Sequence, residues 1–279
     1  MTHWTLDDIP WGRFDPARVD SQILAVVKAA SLVERNAADY TSYLGNVFRD
    51  DPSFRVHVDS WRVEEERHGN VLGRWAEMAD PSFSFEAALA RFRAGYSIDV
   101  GAQDSIRGSR TGELIARCIV ETGTSSFYSA LRDASNEPVL KAVCHRIAGD
   151  EFRHYKLFYD TMKVYQAREN VPGWRRFLVA IGRIRESEDD ELAFAYHAAN
   201  DAVDAPYDRV TASTNYGARA FACYRPHHVA RASNMVLKAA GLNPRGMLGS
   251  VVGRAMWTFV SRRAKALQTA GQTADRSAA

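Results

Sequence analysis

The chain has 279 residues, 36 Lys and Arg against 34 Asp and Glu, 46% hydrophobic residues and 11% aromatics. That length fits one large domain or two small ones, and the aromatic content with near-neutral charge excludes disorder over most of the chain. Three widely spaced cysteines (Cys118, Cys144 and Cys223) exclude a disulfide scaffold, and a net charge of +2 gives no global pull towards nucleic acid.

In chain order, the first eight residues have neither the basic start nor the apolar run of a signal peptide. Gly, Pro and Asp punctuation then divides a pattern of helical periodicity with no strand alternation. A first helix is expected from Ala17 to Arg49, ending before Asp50-Asp51-Pro52, and a second from Ser53 to Met78, stopped by Asp80-Pro81. A shorter crossover helix, Phe85 to Ile98, leads through a Gly/Ser loop to a third long helix, Thr111 to Asp133, and a fourth, Glu137 to Arg168. Beyond Pro172-Gly173 come Trp174 to Glu186 and Asp189 to Ala202, then, after Pro206, Ala218 to Ala240 and Gly246 to Leu267.

The domain reading is a 1–16 extension, a 17–204 four-helix bundle with its crossover helix, 205–268 helices packed on it, and a flexible 269–279 tail. The longest apolar-leaning stretch, Met247 to Val260, is interrupted by Arg254 and is too short to span a bilayer. A cytoplasmic protein without stable membrane insertion is therefore expected. Residues 205–279 hold eleven Lys and Arg against Asp208 and Asp275, so the C-terminal part is strongly basic and the remainder acidic. Glu186 to Glu191 reads as a solvated acidic turn, His197 as a packing histidine, Tyr40 and Tyr128 as core aromatics, and His227-His228 as a solvent-exposed pair.

The inward stripe of each long helix carries a charge where the core should be. Helix one reads Ile23, Val27, Ala30, Glu34, Ala37, and helix three Leu114, Cys118, Glu121, Thr124, Tyr128. Helices two and four carry Glu-x-x-His on the same kind of stripe, as Glu65/His68 and Glu151/His154. Glu34 to Glu65 spans 31 residues and Glu121 to Glu151 spans 30, a pseudo-repeat of helix pairs. An isolated buried carboxylate is costly unless it is paired or binds a metal. Four carboxylates and two imidazoles at one level of a bundle form the ligand set of a di-iron or di-manganese site, since hard oxygens with one imidazole per ion suit those metals better than zinc.

The run Trp61-Arg62-Val63-Glu64-Glu65-Glu66-Arg67-His68-Gly69 resembles the signature of the soluble acyl-acyl carrier protein desaturases, within the ferritin-like superfamily. Asp150-Glu151-Phe152-Arg153-His154 is similar to that family's fourth-helix motif, and Glu121 with Thr124 to its third-helix Glu and Thr; the resemblance covers about residues 20–165. It implies an all-α, ferritin-like bundle with additional C-terminal helices and two irons held by Glu34, Glu65, His68, Glu121, Glu151 and His154. It implies that Trp61 and Asp150 support the site on the electron route, and that Thr124 faces the oxygen-binding side as a catalytic residue assisting proton delivery. It further implies a homodimer, dioxygen as co-substrate, a ferredoxin-type electron donor and a fatty acyl chain on acyl carrier protein, an acidic partner suited to the basic C-terminal part. The residues themselves leave open an oxygenase or hydroxylase of another apolar or carrier-bound substrate, and a ferritin-like iron-binding or peroxide-scavenging protein without such a substrate.

Overall fold

The computed structural model describes residues 3–186 and 190–278. All regular structure among them is helical. The four long segments of the bundle are α1 (Ser21–Arg35) continued by α2 (Ala37–Val47), α3 (Pro52–Ala79), α5 (Arg110–Ala134) and α6 (Pro138–Glu169), with α4 (Phe85–Gly95) as the crossover. Local chemistry sets the ends. Asp20 accepts from the Gln22 and Ile23 amides to start α1. Asp51 accepts from Phe54 N with Pro52 at the first helical position of α3, and Glu137 caps α6 ahead of Pro138 in the same way. Asn170 closes α6 in the left-handed region, φ 49°.

The single helix expected over 17–49 is two helices. A 3-10 turn occupies Pro16–Arg18, and Asn36 (φ −91°, ψ 15°) separates α1 from α2. Asn36 is buried and finds partners outside the helix ladder, giving a hydrogen bond to Asp39 and accepting one from Arg93. The expected helix over 218–240 also divides, into α9 (Arg209–Ala222) and α10 (Pro226–Ala239), because Pro226 has no amide to continue α9 and instead opens α10. Of the segment read as a flexible 269–279 tail, residues 269–278 belong to α11, which runs Met247–Ala278, and residue 279 lies outside the described residues. The turn read as acidic and solvated falls partly on residues 187–189, outside the described residues. Within it, Glu186 pairs with Arg107 and Glu191 is buried.

α1 pairs with α3 and α5 with α6, while α3 and α6 face one another across the bundle. Two apolar layers result. One joins Val27, Leu72, Trp75, Leu131, Leu140 and Ile147; the other joins Leu44, Phe54, Trp61, Leu114, Phe158 and Met162. The charged stripe residues lie between these layers on all four segments, so apolar packing closes off the polar level from both ends of the bundle. α7 (Gly173–Arg185) and α10 lie on α5, α8 (Asp190–Asn200) on α1 and α4, and α9 and α11 complete that side. No described helix is long and apolar enough to cross a membrane.

Candidate metal centre

Glu34, Glu65, His68, Glu121, Glu151 and His154 all converge, and all are buried. Two groups of potential ligand atoms form, each within 4.8 Å: Glu34, Glu65, His68 and Glu151, and Glu65, Glu121, Glu151 and His154. Glu65 and Glu151 belong to both, so they are placed to bridge, with Glu34/His68 terminal on one side and Glu121/His154 on the other. His68 Nδ1 lies 3.5 Å from Glu34 Oε2 and 3.1 Å from Glu151 Oε1; His154 Nδ1 lies 3.0 Å from Glu65 Oε1 and 3.6 Å from Glu121 Oε2.

The donor set passes a direct test of fit for metal ions. Each of the six residues turns one buried atom inward that makes no hydrogen bond: Glu34 Oε2, Glu65 Oε1, His68 Nδ1, Glu121 Oε2, Glu151 Oε1 and His154 Nδ1. Buried polar atoms are normally satisfied, and six orphans at one point match the donors of two cations. Burial pushes Glu65 well above the carboxylate range, with Glu151 and Glu34 adding to it, and raises Glu121 to about 8. Burial acts the same way on Glu151, but His154 and His68 outweigh it and hold that carboxyl low. Burial opposes charge on both imidazoles, yet the surrounding carboxylates outweigh it and raise both well above their usual value. Protons shared among these groups are what divalent ions would replace, so binding should release them.

The outer atoms of the ligands are fixed by a cross-helix exchange. Asp150, next to Glu151 on α6, takes His68 Nε2 of α3 at 3.1 Å; Glu64, next to Glu65 on α3, takes His154 Nε2 of α6 at 2.8 Å. Each acid thus leaves the Nδ1 of the opposite imidazole pointing into the cage. Arg153 bridges the two acids, 2.6 Å from Asp150 and 3.6 Å from Glu64, and Arg67 lies 3.4 Å from Asp150. Asp150 is held at about 2: burial raises it, and His68, Arg153 and Trp4 together outweigh burial. Tyr128 donates to Glu34 Oε1 at 2.5 Å, and Thr124 Oγ1 donates to Glu151 Oε2 at 2.6 Å.

The 1–16 extension completes this outer ring. Trp4 Nε1 donates to Asp150 Oδ2 at 2.8 Å, its ring is stacked over His68 with centroids 6.0 Å apart, and His3 Nδ1 is 2.5 Å from Glu64 Oε1. The indole that bonds Asp150 is therefore Trp4. Trp61 Nε1 has no partner; the ring packs edge-on against Phe158 and lines a small cavity beside Glu65. A distance of 146 residues separates Trp4 from Asp150, so no local pattern could reveal the pair. Glu64 was legible in principle, because each Glu-x-x-His is preceded by an acid: Glu64-Glu65 and Asp150-Glu151. Tyr128, read only as a core aromatic, is buried as expected but also orients Glu34.

One glycine makes the cage possible. A Cβ on Gly69 would stand 2.6 Å from Arg35 N and Cβ, so α3 and α1 approach here more closely than any other residue allows, beside Glu34 and His68. A cavity of about 280 Å³ reaches Glu34 and Thr124 from the other side, walled mainly by Val33, Val120, Phe127, Tyr216, Phe221 and Leu267. A smaller one of about 70 Å³, shared by Trp61, Tyr40, Glu121 and Glu191, touches it at Glu34 and Thr124. Tyr40, another expected core aromatic, donates to Glu191 at 2.6 Å.

His227 and His228 gather round Asp133, but His228 is buried rather than exposed and forms a helix cap. Arg225 N donates to His228 Nδ1, which leaves the proton on Nε2 to be donated to Asp133. His197 is buried, bonded to Asp201 and packed against Phe194 and Tyr207, as expected of a packing histidine.

Comparison with protein families matches residues 17–170, more than half of the chain, to the fatty acid desaturase family. Comparison with curated proteins gives no match. The matched span holds all six cage residues, Thr124, Asp150 and Glu64, whereas most of the large cavity's outer wall lies beyond it.

Proposed function

This chain belongs to the fatty acid desaturases of the acyl-acyl carrier protein desaturase type, a ferritin-like di-iron family, and from that premise we propose that it introduces a double bond into a fatty acyl chain carried on acyl carrier protein, using dioxygen. The observation that carries this reading is the set of six unpartnered donor atoms meeting an apolar cavity at Glu34 and Thr124. A saturated –CH2–CH2– unit, dioxygen, two electrons and two protons give –CH=CH– and two waters. Two iron ions held by the six cage residues would activate dioxygen for that step, which ordinary acid–base side chains cannot.

The rest is the work of the chain's own groups. Glu65 and Glu151, common to both groups, would hold the two ions together, and Asp150 and Glu64 fix the tautomers of His68 and His154. Thr124, hydroxyl to Glu151 and facing both cavities, holds a proton between the cage and the substrate side. The apolar layers above and below the cage keep water from the reacting chain. Electrons enter along Trp4, Asp150 and His68, a continuous path from the N-terminal segment to the cage, from a ferredoxin-type donor. The basic C-terminal part suits docking of the acidic carrier, and the active form is a cytoplasmic homodimer.

The test is metal analysis followed by turnover. Iron-loaded protein, a ferredoxin reducing system, oxygen and saturated acyl carrier protein should yield a product lighter by two hydrogens on mass spectrometry. A product heavier by one oxygen would replace desaturase by hydroxylase. Iron uptake and peroxide loss with no change in any acyl chain would instead favour the storage or scavenging reading, against which the apolar cavity at the cage already speaks.

A further inference from the structure

Gly123 occupies the middle of α5, between Glu121 and Thr124, where the helix is otherwise buried almost throughout. A glycine in a helix interior destabilises the helix relative to alanine. Packing does not require it. A Cβ built on Gly123 meets no heavy atom within 4 Å, in contrast to Gly69, whose Cβ would strike the backbone of α1. Gly123 is exposed, and it lines the cavity of about 280 Å³ together with Glu34 and Thr124. The space above it is thus open, mostly apolar in its walls and adjacent to the metal cage.

The other side of that space comes from elements outside the span matched to the family. Ser213, Tyr216, Gly217 and Phe221 of α9 and Leu267 of α11 line it. Gly217 sits close to α11, where a Cβ would lie 3.0 Å from the Leu267 side chain. The cavity therefore combines a wall at the cage with a wall built by the C-terminal helices, and Gly123 is the place on the first wall where an added Cβ meets nothing within 4 Å.

We propose that Gly123 is the specificity-determining position of the site: the substrate's unbranched apolar chain lies directly over it, and the missing side chain is what admits that chain past Thr124. This rests on the desaturase reading and adds to it where the chain lies and which residue limits it. A larger residue at 123 should fill the space, weaken binding of long chains more than short ones, and leave metal binding intact. It should also stabilise the protein, because it removes a mid-helix glycine without creating a clash.

The experiment compares full-length, iron-loaded wild type, Gly123→Ala, Gly123→Leu and the control Gly45→Leu. Gly45 lies in α2 with open space around it and lines none of the cavities described. Binding of cis-parinaric acid is followed by fluorescence, with displacement by decanoic and stearic acids, alongside iron content and melting temperature. Gly123→Leu should bind the probe at least roughly tenfold more weakly, losing stearic acid more than decanoic acid. Gly123→Ala should shift the same way by less and melt higher, and Gly45→Leu should bind as wild type. Wild-type affinity and unchanged chain preference in both Gly123 variants would overturn the inference, and turnover to an unsaturated product would then leave the desaturase reading standing. Absence of probe binding and of unsaturated product in the wild type would remove both together. Because the alanine variant adds only one methyl into open space, the inference stays testable even if the leucine variant does not fold.

Discussion

The matched bundle, residues 17–170, and the C-terminal helices beyond it are built for different tasks. The bundle buries charge deliberately: six convergent carboxylate and imidazole side chains that could hold metal, a ring of acids and arginines around them, and one glycine that lets two backbones nearly touch. The C-terminal helices contribute small and aromatic residues to a cavity wall, and residues 171–279 carry a net positive charge, fifteen Lys and Arg against nine Asp and Glu. Errors in the first region should strike metal binding and stability, whereas errors in the second should change what is bound and leave the metals in place.

The largest effect should come from Glu151, the carboxylate common to both half-sites and accepted partner of Thr124. Glu151→Ala should reduce iron from about two per chain to near zero and destabilise the metal-free protein by about 3 kcal/mol, because two buried imidazoles lose a shared counter-charge. Metal analysis and denaturant titration check both numbers. Gly69→Ala should come next. The added methyl meets the α1 backbone, which cannot yield as a flexible side chain would, so we expect about 2 kcal/mol of lost stability and preferential loss of the ion at Glu34 and His68. Tight metal retained at both sites would show that α1 can move without consequence.

The two supporting acids sharpen the comparison within the cage itself. Asp150→Asn and Glu64→Gln should each lower metal affinity by about tenfold to a hundredfold, at His68 and His154 respectively, measurable by competition with a chelator. In the C-terminal region, Leu267→Ala should cost about 2 kcal/mol and widen the cavity, loosening selectivity for the bound chain while iron content stays as in the wild type. Iron lost from this variant would contradict the division of labour.

The smallest effect concerns acid stability. Lys28 on α1 holds Asp80, just past α3, at 2.6 Å, and this bond with Ser82 lowers Asp80 from 3.8 to about 2. The pair's stabilisation is present in full above pH 3.8 and disappears as pH falls through about 2. Lys28→Met should therefore destabilise by about 1 kcal/mol near neutrality and by progressively less as pH drops through that window.

The sequence by itself determined the helical class, the main breaks at Pro and Gly, and all six cage residues. Those were legible because helical periodicity puts each charge on an apolar stripe, and burying charge demands a partner. Asp150 and Thr124 were legible from their place in the same motifs. What only the tertiary structure decided is who holds the ligands and what lies beside them. Trp4 bonds Asp150, Tyr128 bonds Glu34, and Glu64 crosses to His154. Residues from α5, α9 and α11 close one cavity. Each of these depends on contacts between segments far apart in the chain, and a contact of that kind leaves no periodic trace in the sequence of either partner. The glycines divide the same way: both break a helical pattern equally, and only the packed structure separates Gly69, where a backbone must fit, from Gly123, where space is kept open.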